Sequence, residues 1–522
     1  MKTFIRIISA LLSLMFAISL FGCINRSKTA AVISAINEDG SMQIEDTEGN
    51  KYIMKPYDPG TYYEPAATGI IYLKNFGAKG DGVNDDTEAI KLAVAALKDG
   101  GILYLQQGTY IMTSPIEIST DNIIIKGDGA KTVIEFKYDP KQDDKASGCS
   151  AFCFENAIKN VILKDFTVKH TDYDENVAAV KQYGILFGQC DNVYLDNLTV
   201  SGFNASAVRI GSDTETESTR ISIKNSRFFN NNTAGIEIGK ADGIDITACD
   251  IYENKSGKSC TGYGVYAPET ADAKNVRINF NRINKNYIAG VFLKNGKQVI
   301  IDGNIISNNS LYGVYAKGEN TDNIIISNNM ISDMEIDSVD SFSDYDFLSA
   351  ICCGTECETS SDRRSYSIMN NTVKNITLKK GSSYGIFSAV NDCSTLKITD
   401  NQIEIDRCTS AIFLDSLKKD GYENNETDIG ISSNQIHLLS IEKALITLCQ
   451  ARKLSISKNI AYAEKSDAQE AISMTGSKKT QTTITENIIA LAGSDMKLVS
   501  FENGEAPSVI INKNNIFNGA AE

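Results

Sequence analysis

Residue types that mark particular scaffolds and metal sites are scarce in this chain of 522 residues. It has no tryptophan, only 7 prolines and only 2 histidines, His170 and His437. With so few histidines and no Cys-x-x-Cys pair, the sequence offers no zinc site. The 12 cysteines are too sparse for a small disulfide-stapled scaffold. Cys357 and Cys393 follow the starts of adjacent repeats at similar distances, so they could pair or remain packed free thiols.

Only one apolar run is long, and it lies at the N-terminus. Lys2 and Arg6 precede an apolar stretch over residues 7–20, which is typical of a signal peptide and too short for a comfortable membrane span. The sequence Leu-Phe-Gly-Cys that ends at Cys23 then resembles a bacterial lipobox. That resemblance implies that Cys23 is lipidated and anchors a secreted protein to the bacterial surface. Ordinary secretion and a retained anchor are the alternatives.

Positive charge is in deficit. The formal net charge is −15, and loss of Lys2 and Arg6 with the signal peptide would lower it to −17. A surface this acidic disfavours nucleic acid as a partner. An anionic ligand would need a local strip of basic residues or a bridging cation.

What the chain has in abundance is a motif that returns roughly every 27 residues. One copy reads Gly-Val-Tyr-Ala at 313–316, then a short polar link, then Asn-Ile-Ile-Ile-Ser-Asn-Asn at 323–329. Few prolines together with many Asn, Ile and Gly residues favour β-structure with frequent turns. Each copy is interpreted as two short strands that end in an asparagine turn. Repeats of this length indicate a solenoid, which grows by adding coils to one continuous core.

The first strand of each coil begins with glycine or alanine in the pattern Gly/Ala-φ-x-φ. The alternation of a strand predicts that both φ residues face the core and that x faces solvent. The x positions are then expected to stack in one column: Cys153, Leu186, Arg209, Glu237, Tyr266, Phe292, Tyr315, Cys352, Phe387 and Phe413.

The second strand ends at an asparagine in nine successive coils. Asparagine tolerates the left-handed conformation of a sharp bend, and stacked amides can bond from coil to coil. We therefore expect a structural ladder with no ligand role. Its predicted members are Asn281, Asn304, Asn329, Asn371, Asn401, Asn434, Asn459, Asn487 and Asn514.

The region before the repeats divides into smaller pieces. Residues 24–66 are predicted to form a small β-meander and a proline-containing linker. A glycine-rich turn then leads to a helix predicted over 85–99, with Asp85 as N-cap and Glu88 closing a capping box. An amphipathic helix at this point is suited to cover the open end of a solenoid core over residues 67–522.

The stretch from Asn75 to Ile90, with Gly108-Thr109-Tyr110 and the Ile-rich run at 123–129 after it, resembles the pectate-lyase-like superfamily. That group includes polygalacturonases, rhamnogalacturonases, related epimerases and phage tailspikes. The resemblance implies an all-β fold, a right-handed parallel β-helix of about 13 coils behind a capping helix. It implies little about the reaction, because members of the group perform different chemistry.

Three insertions, at 170–183, 333–349 and 416–428, would flank the first-strand face, and loops that crowd one face usually mark the working face of a solenoid. A charged pair, Arg209 and Glu237, adjoins a run of aromatic residues there. The rings could stack on sugars of a polymeric substrate, or form a stabilising ladder covered by a loop. The candidate substrate-binding residues are Tyr266, Phe292, Tyr315, Lys240, Lys294 and Lys317.

Arg209 could neutralise a uronate carboxylate while Glu237 acts as acid or base; alternatively the two simply pair. A hydrolase needs two carboxylates, which Glu237 with Asp213 or Asp242 could supply. A lyase needs a base beside a stabilised carboxylate, for which Arg209, Tyr266 and His170 are candidates.

Several signatures of the superfamily's enzymes are absent. The Asn-Thr-Asp, Asp-Asp and Gly-His-Gly motifs of polygalacturonases do not occur at corresponding positions, and the Asp-Pro-His-Asp of mannuronan epimerases is also missing. The sequence His-Thr-Asp-Tyr-Asp from His170 is only loosely similar to it. This loop could bind calcium through Asp172, Asp174 and Glu175, or be an exposed acidic loop.

Three hypotheses follow. The first is a surface-anchored lyase or hydrolase acting on an acidic, uronate-containing polysaccharide. The second is a non-catalytic glycan-binding or adhesive lipoprotein, and the third is a tailspike-like protein, which the signal peptide disfavours.

Overall fold

The structure is a computed structural model. It describes three N-terminal strands and most of residues 69–521; within that span it does not describe 139–149, 155–156, 172–180, 212–216, 256–260, 343–344, 356–363, 391–393, 417–426, 449–450, 475–480, 493–496, 502–508 and 519. The predicted signal peptide and Cys23 lie outside the described residues. No described helix is long and apolar enough to cross a membrane.

The chain divides into two compact units, Met1–Tyr62 and Tyr63–Glu522. The described part of the first is an antiparallel three-stranded sheet of Val32–Ile36, Met42–Glu45 and Lys51–Met54. This sheet is the expected β-meander.

The second unit is a right-handed parallel β-helix whose coils each contribute a strand to three long sheets. The first-strand sheet contains Ile116–Glu117, Phe152–Phe154, Ile185–Phe187, Val208–Ile210, Ala234–Ile238, Tyr263–Ala267, Ala289–Leu293, Tyr312–Gly318, Phe347–Thr355, Ser382–Val390, Ser410–Ser416, Ile446–Leu448, Glu470–Met474 and Lys497–Phe501. The second-strand sheet contains Ile70–Tyr72, Gly101–Tyr104, Ile123–Lys126, Ile158–Lys164, Cys190–Asp196, Ser218–Lys224, Ala241–Thr247, Ala273–Asn279, Gly296–Asp302, Asp322–Ser327, Arg364–Met369, Ser394–Thr399, Asp428–Ser432, Lys453–Ser457, Gln481–Thr485 and Val509–Lys513.

A third strand in each coil was not expected from the sequence. Many of these strands are three residues long with one inward side chain, as in Arg282–Asn284, which leaves no alternation to detect. The third-strand sheet contains Asp81–Asp85, Gly108–Met112, Thr132–Phe136, Thr167–His170, Thr199–Ser201, Arg227–Phe229, Asp250–Tyr252, Arg282–Asn284, Ile305–Ser307, Met330–Ser338, Thr372–Lys380, Gln402–Cys408, Gln435–Ile441, Ile460–Ser466, Ile488–Leu491, Ile516–Phe517 and Ala520–Ala521.

The inward positions of all three sheets form one aliphatic core. In the coil that begins at Gly264, Val265, Val276, Ile278 and Ile283 are each fully buried. A Cβ at Gly264 would lie 2.4 Å from the carbonyl oxygen of Gly290 and 2.5 Å from the Ile283 side chain. The small first residue of the repeat is therefore required by close packing between coils.

The asparagine ladder is confirmed, with two corrections. Each Oδ1 accepts bonds from the backbone N–H and the side-chain Nδ2 of the preceding member, as Asn371 does from Asn329 at 3.0 Å each. The last member is Asn515 and not Asn514, because the N–H groups of Asn487 bond to Asn515. The left-handed residue is the one before each ladder member, for example Asn370 or Asn514.

Helix α1 spans Thr87–Ala95 and covers the first coils with Ile90, Ala93 and Val94. It is shorter than predicted, because Asp81–Asp85 is a strand. Asp85 accepts a bond from the N–H of Thr87 at 2.9 Å, while Glu88 pairs with Lys91, so no capping box forms. Three 3-10 helices complete the described helices: Leu73–Phe76, Gly129–Lys131 and Val339–Ser341.

The described cysteines are buried and form no disulfide with one another. Their thiols pack as small apolar groups, and burial raises the pKa of Cys190 to about 12. The possible pair Cys357 and Cys393 lies outside the described residues.

Candidate functional site

The x positions of the repeat form one continuous outward column on the first-strand sheet. The parallel register pairs Leu186 with Arg209, Arg209 with Glu237 and Glu237 with Tyr266, and it continues in the same way from Cys153 to Phe413. Every neighbour relation predicted for this column is therefore confirmed. Thr447 and Ser473 extend it toward the C-terminus.

The aromatic middle of the column does not face solvent, contrary to the expectation from alternation. Phe292 and Tyr315 stack at 4.3 Å between ring centroids and are 1% and 7% exposed. Tyr266, which keeps a half-buried ring, stacks on Tyr263 at 4.4 Å. Phe292 and Tyr315 are thus covered by protein in this structure, and they lie beneath the surface that a sugar would contact.

A second column, three residues earlier in each coil, supplies part of this cover. It alternates large and small residues, and Tyr263, Tyr312 and Tyr384 are separated by Ala289 and Ser349. The small neighbours leave room for each tyrosine ring to lean over the outward column. Sequence reasoning missed this pattern, although the signal was present as a tyrosine three residues before x.

The predicted insertion at 333–349 does flank the face, and its aromatic residues complete the cover. These residues, Phe342, Tyr345 and Phe347, are called the strap. Tyr345 lies 6.0 Å from Phe292 between ring centroids, and its hydroxyl is 3.0 Å from that of Tyr263. This geometry matches the second interpretation of the aromatic run, a stabilising ladder covered by a loop.

The Arg209 cluster consists of Arg209, Glu237, Ser206 and Tyr183. Arg209 Nη1 donates to Glu237 Oε1, and Ser206 Oγ donates to Glu237 Oε2 at 2.6 Å. The Arg209 guanidinium lies 5.7 Å from the centre of the Tyr183 ring, a cation–π contact. Arg209 is 9% exposed and Glu237 is 2% exposed, so this is a buried ion pair with each partner compensating the other's desolvation.

His170 joins the same region through a residue that the sequence did not single out. His170 Nε2 lies 3.4 Å from the carbonyl oxygen of Tyr138, which also accepts a bond from Gln182 Nε2 at 2.7 Å. Gln182 precedes Tyr183, whose hydroxyl contacts Arg209 at 3.4 Å. The structure therefore places His170 and Arg209 in one region, where Gln182 and Tyr183, which are neighbours in the chain, contact one side each.

The remaining predicted acids are not brought to Glu237. Asp242 belongs to the second-strand sheet and accepts a bond from Asn275 at 2.5 Å. Asp213 and the loop acids Asp172, Asp174 and Glu175 lie outside the described residues. Among described residues no cluster of His, Cys, Asp or Glu is arranged to hold a metal ion.

The predicted basic strip is only partly assembled. The pairing of Leu293 with Ala316 puts Lys294 and Lys317 on adjacent coils. Lys294 lies 3.5 Å from a carboxylate oxygen of Glu269, and Lys240 is two coils away. Part of the positive charge of this strip is therefore neutralised within the protein.

The outward column opens at its C-terminal end into a cavity of about 500 Å³, called the acidic cavity. Its floor includes Phe413, Thr447 and Ser473 of the column. Four carboxylates lie around it: Asp415, Glu442, Asp467 and Glu470.

Two of these carboxylates lie side by side in different settings. Ile441 pairs with Ser466 in the parallel register, so Glu442 and Asp467 follow on adjacent strands, about 4.8 Å apart in the backbone. Glu442 is held by Arg407 at 2.6 Å and by the Thr409 hydroxyl at 3.3 Å. Asp467 is exposed and forms no ion pair with any described residue.

The negative charges around the cavity help to raise the pKa of two neighbouring groups. Burial raises the pKa of Tyr384, and the negative charges of Asp415 and Glu442 raise it further. Burial also raises the pKa of the Cys408 thiol, again with a contribution from Glu442. Sequence reasoning missed this cavity, because its acids lie in turns of different coils and resemble ordinary surface residues.

Comparison with known families agrees with this architecture. The family described as the right handed beta helix region matches residues 155–331 and 272–420, which together cover just over half of the chain. The chain belongs to this family. The pectate-lyase-like family of rhamnogalacturonase A and epimerase matches residues 70–148 of this β-helix protein, the segment on which the sequence resemblance rested.

Individual similarities are more distant. The preneck appendage protein of Bacillus phage PZA is 22% identical over 215 residues, 37% of this chain and 24% of that protein. The chain therefore spans about a quarter of that relative's length. The tailspike of E. coli bacteriophage HK620, solved as a double mutant with a pentasaccharide, has a TM-score of 0.53 at 13% identity and covers 94% of this chain and 82% of its own.

The Streptococcus pneumoniae surface protein and adhesin PfbA has a TM-score of 0.50 at 14% identity, covering 83% of this chain and all of its own. At such identities the two structural similarities show the fold alone.

Proposed function

We propose that this β-helix protein is a polysaccharide-acting enzyme that binds glycan on the open, C-terminal part of its first-strand face. The observation that carries the proposal is the acidic cavity: it continues the outward column with the partly exposed ring of Phe413 and two hydroxyl side chains. A concave site with an aromatic surface and a few convergent polar groups is the usual form of a carbohydrate site.

The reaction we propose is glycoside hydrolysis by Glu442 and Asp467. Glycosidases place two carboxyl groups around the scissile bond. Asp467 would donate its proton to the glycosidic oxygen as the bond to the anomeric carbon breaks. Glu442, held in place by Arg407 and Thr409, would remove the proton from the attacking water.

The comparisons support the substrate class at a coarse level. The matched N-terminal family takes its description from a rhamnogalacturonase and an epimerase, and the HK620 tailspike was solved with a pentasaccharide. Both are properties of those proteins. They make a polysaccharide the first ligand to test on this chain.

A second candidate is a uronate-directed site at the Arg209 cluster. The observation that favours it is that Tyr183 and Glu237 both contact the Arg209 guanidinium, with His170 in the same region. An arginine beside a tyrosine suits proton abstraction next to a uronate carboxylate.

Binding without catalysis, as in an adhesin, and anchoring to the bacterial surface through lipidated Cys23 remain proposals from the sequence.

The test is incubation of the full chain with a panel of neutral, amino-containing and uronate polysaccharides, with and without calcium. We expect new reducing ends without absorbance from unsaturated sugars, and loss of this activity in Glu442→Gln and Asp467→Asn. The matched control is Glu464→Gln, an exposed acid in the same coil on another sheet. Unsaturated ends that depend on Arg209 would instead establish the lyase, and retention on a glycan column without any cleavage would establish a binding protein.

A further inference from the structure

We infer that the acidic cavity is selective for glycans that carry free amino groups, such as oligosaccharides of deacetylated glucosamine. This inference rests on the proposed function and goes beyond it by naming the charge of the sugar. The cavity, its aromatic surface and its hydroxyl groups make a carbohydrate site; the distribution of charge around them decides which carbohydrate fits.

Negative charge dominates the cavity wall. Asp415, Glu442, Asp467 and Glu470 line it together with a single cation, Lys443 on an exposed turn. Glu442 is the member whose charge is compensated by Arg407. A uronate polymer would bring more carboxylates to this wall, and like charges repel.

Two acids of the cavity have no described ion-pair partner, and Glu470, which takes no part in the proposed reaction, is the one left to pair with a ligand. Neither Asp467 nor Glu470 has a cationic side chain within 4.0 Å among the described residues. Lys497 pairs with Glu470 in the backbone register one coil further on, but no ion pair joins the two side chains. Both acids lie on the same side of the cavity floor, at the turn into one strand.

An ammonium group on the sugar would supply the positive charge with which a carboxylate of the cavity can pair. Its three N–H donors can reach a carboxylate while the sugar ring lies on Phe413, with ring hydroxyls near Thr447 and Ser473. Charge-assisted hydrogen bonds of this kind are stronger than those of a neutral acetamide. The same sugar with its amino group acetylated keeps the shape and loses the charge.

The Arg209 cluster shows why the opposite charge is not favoured on this face. Its guanidinium is already bonded to Glu237 and covered by Tyr183. At the open end, Arg407 is bonded to Glu442. A carboxylate ligand at this end would have to displace Glu442 from Arg407 or rely on Lys443 alone, whereas an ammonium ligand can pair with Glu470 directly.

The test measures binding of three hexasaccharides to the full chain by calorimetry: deacetylated glucosamine, N-acetylglucosamine and guluronate. We expect the deacetylated hexamer to bind at least about tenfold more tightly than the acetylated one. The preference should shrink with added salt, because exposed charges are screened, and it should disappear when the pH is raised until the sugar amine is neutral.

Two variants test whether the preference for the deacetylated hexamer arises in the acidic cavity. Glu470→Gln, which leaves the proposed catalytic pair intact, should lower the affinity for the deacetylated hexamer by about threefold to tenfold and leave the acetylated one unchanged. Glu464→Gln removes one negative charge from the same coil outside the cavity and should change neither.

The possible outcomes distinguish failure of the amino-sugar selectivity from failure of the proposed polysaccharide-acting function. Equal affinity for the acetylated and deacetylated hexamers overturns the amino-sugar selectivity and leaves the polysaccharide site standing. Preference for guluronate overturns it in favour of the uronate site at Arg209. If no glycan of the panel binds or is cleaved, the proposed function itself fails.

Discussion

The charged residues at the two ends of the first-strand face are placed differently: at one end they lie in the outward column, and at the other they lie in the turns beside it. Near the N-terminal end, Arg209 and Glu237 occupy adjacent positions of the outward column and are buried under Tyr183. At the C-terminal end, the column itself carries Thr447 and Ser473, and the charge is in the turns beside it. The first region is a closed ion pair, and the second is an open cavity.

The difference teaches that position in the repeat does not decide whether a charged side chain is available to a ligand. A small apolar cluster of Tyr183, Leu186 and Ala205 closes over the Arg209 pair. At the other end the column residues are small, and Thr447 and Ser473 lie beside the acidic cavity. The charges of the first setting stabilise each other, since a buried ion without its partner is costly. In the second setting Glu470 has no ion pair among the described residues and can bind a ligand.

The largest expected effect is at the closed end. Glu237→Ala leaves the Arg209 guanidinium buried without its partner, and we expect the free energy of unfolding to fall by about 3–5 kcal/mol. Urea denaturation measures the change. The matched variant Glu470→Ala at the open end should stay within about 0.5 kcal/mol of the parent. Equal losses at the two ends would remove the distinction between them.

The asparagine ladder, which lies in the coils from Asn281 onward and continues past the acidic cavity, should be the next most sensitive. Asn434 lies in a coil close to the acidic cavity and accepts bonds from the N–H and Nδ2 of Asn401 at 3.0 Å each. Asn434→Ala leaves the buried N–H of Asn401 without this acceptor, while Asn401 Nδ2 keeps its bonds to the carbonyl oxygens of Ile368 and Thr399. Unfolding should therefore be easier by about 1–3 kcal/mol. Gln435→Ala, at the exposed neighbouring position, is the control. A neutral Asn434→Ala would mean that water replaces the lost amide.

A smaller effect should come from the hydroxyl of Tyr183. Tyr183→Phe keeps the ring over Arg209 and removes a contact of 3.4 Å, so we expect a loss of about 1 kcal/mol. Tyr183→Leu should cost more, because the cation–π contact is lost as well. If both variants behave alike in urea denaturation, the ring does not stabilise the guanidinium.

The smallest effect on stability is expected for Asp467→Asn in the open cavity. This exposed acid has no described partner, so the free energy of unfolding should change by less than about 0.5 kcal/mol. Cleavage of glycan should nevertheless fall sharply, because the variant cannot donate a proton from a carboxyl group. Loss of stability with unchanged turnover would reverse the roles assigned to the two ends.

Much of the fold could be predicted, because its signals are local. The alternation in Gly/Ala-φ-x-φ gave the register of the outward column from Cys153 to Phe413 without error. The predicted ladder is wrong at its end, where Asn514 and Asn515 are neighbours and both fit the pattern, and in assigning the left-handed conformation to the ladder residue itself. The third strands were missed, since three residues with one inward side chain are too short for a period to appear.

The site was less predictable, because its properties depend on contacts between distant parts of the chain. Arg209 and Glu237 were correctly placed together, but their burial depends on Tyr183 in an earlier coil. The cover over Phe292 depends on Tyr345, which comes from an insertion two coils later. The acidic cavity needs Glu442 and Asp467, 25 residues apart, to follow paired strands.

By itself the sequence determined a solenoid, the inward aliphatic core, the asparagine ladder and the order of side chains along one outward column. Each of these follows from a period that every coil repeats, so neighbours in space can be counted along the chain. Only the tertiary structure decided which part of that column is covered and which is open. The side chains that cover the column come from turns and insertions that differ from coil to coil. The repeat therefore does not predict them.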